Sequence, residues 1–172
     1  NIGIDEIISI VDGFSVEVAT NIPDGEAIMF DVVATDGTDI WESSFTLIAH
    51  APILEFVGFE ISGSGTIDPG ETKDFTITIT NAGSASVNDV ITALVSSDPY
   101  ITVNTDPLEY GTVDPEENVS GVFSVTADAG TPTGHMAAFE VNIEAPGEIG
   151  GEGEFSVVIG QIPVCIIDLD DN

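Results

Sequence analysis

The stretch Phe75-Thr76-Ile77-Thr78-Ile79-Thr80 places an apolar side chain at every odd position and a threonine at every even one. Successive side chains of an extended backbone point to opposite faces, so a period of two marks a strand with one face in a core and one in water. The same rhythm runs through Phe123-Ser124-Val125-Thr126, Phe139-Glu140-Val141-Asn142-Ile143 and Phe155-Ser156-Val157. Earlier in the chain it appears in Phe14-Ser15-Val16-Glu17-Val18 and Phe45-Thr46-Leu47. No segment shows the helical period, and the chain reads as all-β.

Turn signals separate these runs: Asp36-Gly37, Asp68-Pro69-Gly70, Asn81-Ala82-Gly83, Asp98-Pro99, Asp114-Pro115 and Pro132-Thr133-Gly134. Gly and Pro supply the unusual φ values, and Asn and Asp side chains bond their own backbone. Short strands at this spacing imply an antiparallel sandwich or barrel. Strands are expected at 53–61, 73–81, 88–95, 100–104, 108–113, 119–127, 136–144 and 153–160.

An internal repeat organises the chain. Phe14-Ser15-Val16 returns as Phe123-Ser124-Val125, at an offset of 109. Pro23 and Gly25 return as Pro132 and Gly134, and Phe30 and Val32 as Phe139 and Val141, at the same offset. Phe45 returns as Phe155 at an offset of 110, and Pro52 as Pro163 at 111. The unit is about one immunoglobulin-type sandwich long, roughly 100 residues. The expectation is an immunoglobulin-like antiparallel β-sandwich in tandem repeat: one complete copy over 53–163, and a partial copy over 1–52 holding the last strands of a preceding module. Residues 164–172 would begin a following domain or linker. The partial copy should carry strands near 13–20, 27–35 and 44–50. Its inward residues Phe14, Val16, Val18, Ile28, Phe30, Val32, Phe45 and Leu47 then need cover, from a preceding stretch of chain, from another copy by strand addition, or from the apolar run 164–167.

Composition narrows the function classes. Hydrophobic residues make up 42% of the 172 and mean hydropathy is +0.30, ample for a packed core. Thirty-one Asp and Glu stand against a single cation, Lys73, for a net charge of −30. Such a surface repels phosphate backbones and anionic lipids, so neither nucleic acid nor membrane insertion is expected. Two readings of the charge stay open: a solvated acidic surface suited to a salty medium, or carboxylates that hold Ca²⁺ through oxygen ligands. The lone cysteine, Cys165, excludes an internal disulfide and lies in the apolar run Val164-Cys165-Ile166-Ile167, where a buried thiol is expected. No run of 18 apolar residues is present.

Several motifs together resemble a known module. Ile67-Asp68-Pro69-Gly70-Glu71-Thr72, then an alternating strand and Asn81-Ala82-Gly83-Ser84-Ala85, is similar to the opening of CARDB-like immunoglobulin-like modules. Ser97-Asp98-Pro99-Tyr100-Ile101-Thr102-Val103 resembles the middle of that unit, and Tyr110-Gly111-Thr112-Val113 and Pro132-Thr133-Gly134-His135 its later turns. The resemblance implies a place in tandem within a large secreted bacterial protein, of the kind found beside gingipain-type cysteine peptidase domains. It also implies a Ca²⁺ loop before the Pro-Gly-Glu motif. Here Ile61-Ser62-Gly63-Ser64-Gly65-Thr66 carries no carboxylate, which leaves Asp68 and Glu71 as the ligands on offer.

Parts for catalysis are few. His50 ends a strand, His135 follows a turn glycine, and neither has the spacing of a metal motif. Ser and Thr sit mostly at outward strand positions. The glycine-rich run Gly147–Gly153 reads as a flexible hairpin connection, because its carboxylates would repel a phosphate. Trp41, Tyr100 and Tyr110 are too scattered for a sugar platform and read as packing residues. The densest acidic group is Asp168, Asp170 and Asp171 with Asn172, where Asp168 and Asp170 would share one strand face and could converge on a cation. The expectation is an extracellular, non-catalytic spacer or interaction module whose partners are neighbouring domains of its own polypeptide, with no cofactor. The alternatives are an accessory region of a gingipain-type peptidase and a Ca²⁺-dependent adhesion or carbohydrate-binding module.

Overall fold

A computed structural model describes residues 7–160. Ten strands are present among the described residues: β1 (Ala27–Thr35), β2 (Ile40–Ile48), β3 (Leu54–Ile61), β4 (Thr72–Asn81), β5 (Val87–Val95), β6 (Ile101–Val103), β7 (Leu108–Val113), β8 (Asn118–Ala127), β9 (His135–Ala145) and β10 (Ile149–Ile159). The last eight form two four-stranded antiparallel sheets, ordered β3-β4-β8-β6 and β10-β9-β5-β7. This is an immunoglobulin-type sandwich. β3-β4-β8 with β5-β9-β10 reproduces the A-B-E and C-F-G sets, β6 lies in the D place and β7 beside C.

Threonine alternation in β4 works as expected. Phe75, Ile77 and Ile79 are fully buried, while Thr72 and Thr78 pair their hydroxyls with Thr126 and Ser120 of β8 on the outer face. Opposite them, β9 buries Ala137, Phe139, Val141 and Ile143. Phe155 of β10 stacks on Phe139 at 5.0 Å and on Phe59 at 4.0 Å, closing an aromatic cluster with Phe75.

Turn chemistry recurs. Asp68-Pro69-Gly70-Glu71 and Asp114-Pro115-Glu116-Glu117 both fold back so that the glutamate Oε2 accepts the aspartate N–H, at 2.9 and 2.8 Å. The third residue of each takes positive φ, 83° at Gly70 and 61° at Glu116.

The glycines of Gly147–Gly153 are not the loose connection expected from sequence. The turn itself ends at Glu148, and Gly150, Gly151 and Gly153 lie within β10. A Cβ on Gly151 would overlap the Leu54 carbonyl oxygen, and one on Gly153 the Phe56 side chain. These glycines let β3 cross closely over β10.

β1 and β2 form a separate antiparallel hairpin. Asp36 closes its tip, its Oδ1 accepting the N–H groups of Thr38 at 2.9 Å and Asp39 at 2.8 Å. The strand expected at 13–20 does not form, and Phe14 is 93% exposed. Alternation alone makes no strand, because an extended segment must pair its backbone with a neighbour, and this one has none among the described residues.

Candidate functional site

The most elaborate polar arrangement among the described residues lies where the hairpin meets the sandwich. After β2 the chain passes through Ala49, His50, Ala51, Pro52 and Ile53 into β3, with Ala49 and Ala51 buried. This linker docks on the loop Asn81-Ala82-Gly83-Ser84-Ala85. The Ala51 carbonyl accepts the N–H groups of Ser84 at 3.0 Å and Ala85 at 3.4 Å, and the Ile53 carbonyl accepts that of Ala82 at 2.7 Å. The Ile53 N–H donates to Asn81 Oδ1 at 3.0 Å, and the Ala51 N–H to Asp24 Oδ1 at 2.8 Å. Pro52 between them has no N–H to satisfy.

Asn81 organises the loop from a fully buried position. Its Oδ1 also accepts Gly83 N–H at 3.1 Å, while Nδ2 donates to the carbonyls of Ala85 at 2.8 Å and Val113 at 3.2 Å. Two donors face the oxygen and two acceptors face the nitrogen, which leaves only one orientation of the amide. Gly83 is required by close approach. A Cβ there would overlap the Ala51 carbonyl oxygen and fall 2.5 Å from Ile53 N and 2.7 Å from Pro52 C.

Around this backbone clamp lie Asp24, Ser84 and His50. Ser84 Oγ donates to Asp24 Oδ1 and lies 2.6 Å from His50 Nδ1. A hydroxyl has one proton, and with the carboxylate taking it, the imidazole must donate through Nδ1. The order is carboxylate, hydroxyl, imidazole, so His50 cannot act as base toward Ser84. This disfavours a hydrolytic triad, in which the imidazole sits in the middle. The Ser84 hydroxyl and the Ala51 N–H hold the Asp24 carboxyl below its ordinary value, against a smaller opposing effect of burial. Nothing in the sequence pairs residues 24, 50 and 84. The local signal at this site is the Asn81-Ala82-Gly83 stretch, which reads simply as a turn.

The opposite pole of the sandwich has a second polar cluster. His135 Nε2 lies 2.7 Å from Asp98 Oδ2, Tyr100 N–H donates to Asp98 Oδ1 at 2.9 Å, and the Tyr100 and His135 rings meet edge-on at 5.1 Å. Burial raises the Asp98 carboxyl, but the Tyr100 N–H and the imidazole together outweigh it, so its value stays below the ordinary one. A carboxylate lowered on folding stabilises the fold above its unfolded value, and that contribution disappears as pH falls through the folded value. Acid titration followed by circular dichroism should therefore show stability falling below about pH 4. Asp98→Asn should be less stable than the parent at pH 7 and lose less on acidification; an unchanged acid limb in the variant would contradict this role.

Of the carboxylates proposed for Ca²⁺, Glu71 directs Oε2 to the Asp68 N–H at 2.9 Å and to Lys73 Nζ at 3.5 Å. The Asp68 N–H holds the Glu71 carboxyl below its ordinary value, with Lys73 adding to the effect. Asp68 and Glu71 thus meet as the two ends of a turn. Among the described residues no group of three or more His, Cys, Asp or Glu side chains is placed to hold a metal. Asp168, Asp170 and Cys165 lie outside the described residues. No helix among the described residues is long and apolar enough to cross a membrane.

No family model matches the chain, and no curated protein matches it. Solved structures are similar to it only at low identity and low TM-score. E. coli alpha-2-macroglobulin in its native conformation is 17% identical, with 78% of this chain and 8% of that one covered, at a TM-score of 0.46. AvmM, which catalyses macrocyclization in alchivemycin A biosynthesis, is 16% identical over 67% of this chain and 92% of its own, at a TM-score of 0.43. A FixG-related protein from Vibrio parahaemolyticus is 11% identical over 60% and 96%, at 0.42.

Proposed function

We propose that the chain is a non-catalytic extracellular spacer, a run of tandem immunoglobulin-like modules that holds neighbouring domains of one polypeptide in a set orientation. The observation that carries this reading is the linker Ala51–Ile53. Its backbone N–H and carbonyl groups at Ala51 and Ile53 are all engaged, the Ala51 N–H by Asp24 and the other three by the Asn81–Ala85 loop of the next module. A flexible tether would leave those groups to water. The repeat supports the reading. Gly25 N–H donates to the Ala49 carbonyl at 2.9 Å, and at offsets of 109 for the donor and 110 for the acceptor Gly134 N–H donates to the Ile159 carbonyl at 2.8 Å. Both glycines take positive φ, 76° and 82°. The Ser84 hydroxyl and the His50 imidazole are spent on the joint. The acidic surface suits a solvated exterior.

Distance measurement between spin labels tests the joint directly. With labels at Thr38 on the hairpin tip and Asp106 on the sandwich, in a Cys165→Ser background, a single narrow distance distribution is expected. Gly83→Ala, which forces the linker off the loop, should broaden it severalfold and destabilise the chain by about 2 kcal/mol. A broad distribution in the parent chain would refute a spacer of set geometry. Peptidase or glycosidase turnover abolished by one point substitution would refute the non-catalytic part.

A further inference from the structure

The hairpin carries an apolar face that the described residues leave largely open, with Ile28 and Phe30 half-buried on it and the rest exposed. Ile28, Phe30, Val32, Trp41, Phe45 and Leu47 share it by register, and Trp41 is 55% and Phe45 49% exposed. Its geometry is that of β9–β10. Phe30 faces Phe45 with rings stacked at 5.1 Å and 11°, and their counterparts in the repeat, Phe139 and Phe155, face each other at 5.0 Å and 8°. In β9–β10 this face is the core face, buried under Phe75, Ile77, Phe123 and Val125 of the other sheet.

We infer that β1–β2 is the closing hairpin of a sandwich whose remaining strands come from the same polypeptide N-terminal to Asn1. Their inward face is rich in Phe, Ile and Val. The inference rests on the tandem-module reading and deepens it by naming what covers the bare face. A second copy of the chain fits less well. Two stacked hairpins would leave every strand edge open, and each copy brings a charge of −30 to the contact. Residues 7–20 of this chain form no strand, and Phe14 points into solvent.

The equivalence also restricts the occupant. Trp41 and Ser43 stand where β10 has Gly151 and Gly153, at an offset of 110. At those glycines β3 passes too closely for any Cβ. The first strand of the upstream sandwich therefore stops short of the hairpin tip, or runs farther from it than β3 does from β10, and the indole fills the space.

Trp41 is the sole tryptophan and reads the cover directly. Its emission and acrylamide quenching are compared between residues 1–172 and the same chain extended by its own preceding segment, about 80 residues long as residues 53–130 are. Extension should shift emission to the blue and lower the quenching constant at least threefold, with both forms monomeric by sedimentation. Amide protection of β9 in each form shows that the described sandwich is folded. Trp41 equally open in the extended form, with β9 protected, would overturn the inference. So would concentration-dependent dimerisation of residues 1–172 that shields Trp41, which would make a second copy the occupant. Spin-label distances report the joint independently, so failure here leaves the spacer reading standing.

Discussion

Asn81→Ala should lower the unfolding free energy by about 3–4 kcal/mol, as measured by urea denaturation. The amide is fully buried and bonds Ile53 N–H, Gly83 N–H and the carbonyls of Ala85 and Val113. Removing it leaves up to four buried backbone groups without partners. Each costs about 1–3 kcal/mol if water cannot reach it, and relaxation of the exposed part of the loop recovers some of the total. Asn81→Asp is the informative companion. It keeps the acceptor for Ile53 and Gly83 but faces two carbonyls with a carboxylate, so it should be nearly as damaging at pH 7 and recover partly on protonation. A loss below about 1 kcal/mol for Asn81→Ala would mean that the linker does not depend on this residue.

The second large effect is a contrast between equivalent residues. Phe139→Ala should cost about 3–5 kcal/mol, because a 1% exposed ring is lost from a close-packed aromatic cluster. Phe30→Ala, at the equivalent place in the hairpin, should cost less than about 1 kcal/mol. Among the described residues its ring stacks only on Phe45, which is itself 49% exposed. The midpoint of urea unfolding for each variant measures the difference. If the upstream sheet covers the hairpin, the cost of Phe30→Ala in the extended polypeptide should rise toward the Phe139→Ala value. Equal costs in residues 1–172 alone would show that the hairpin already has a core.

Much of the sandwich is legible in the chain, and the reason is local. Period-two alternation and Gly, Pro, Asn and Asp at the turns are properties of a few consecutive residues, so the strands expected at 73–81 and 108–113 occur, nearly unchanged, at Thr72–Asn81 and Leu108–Val113. The start of β10 lies several residues before its expected place, because Gly150, Gly151 and Gly153 look like a loop until β3 is seen crossing Gly151 and Gly153. The segment 13–20 has as good an alternation as any strand and yet forms none, for lack of a partner ladder among the described residues.

By itself the sequence determined the all-β class and the positions of most turns. Only the tertiary structure decided that Asp24, His50 and Ser84 meet, that Asn81 and Gly83 receive the linker, and that one pair of facing phenylalanines packs in the core while the other is left half-open. Alternation is set by neighbours along the chain, whereas burial and hydrogen-bond partnership depend on residues far apart in sequence. A phenylalanine at an inward position therefore has the same local signature whether or not a second sheet lies over it.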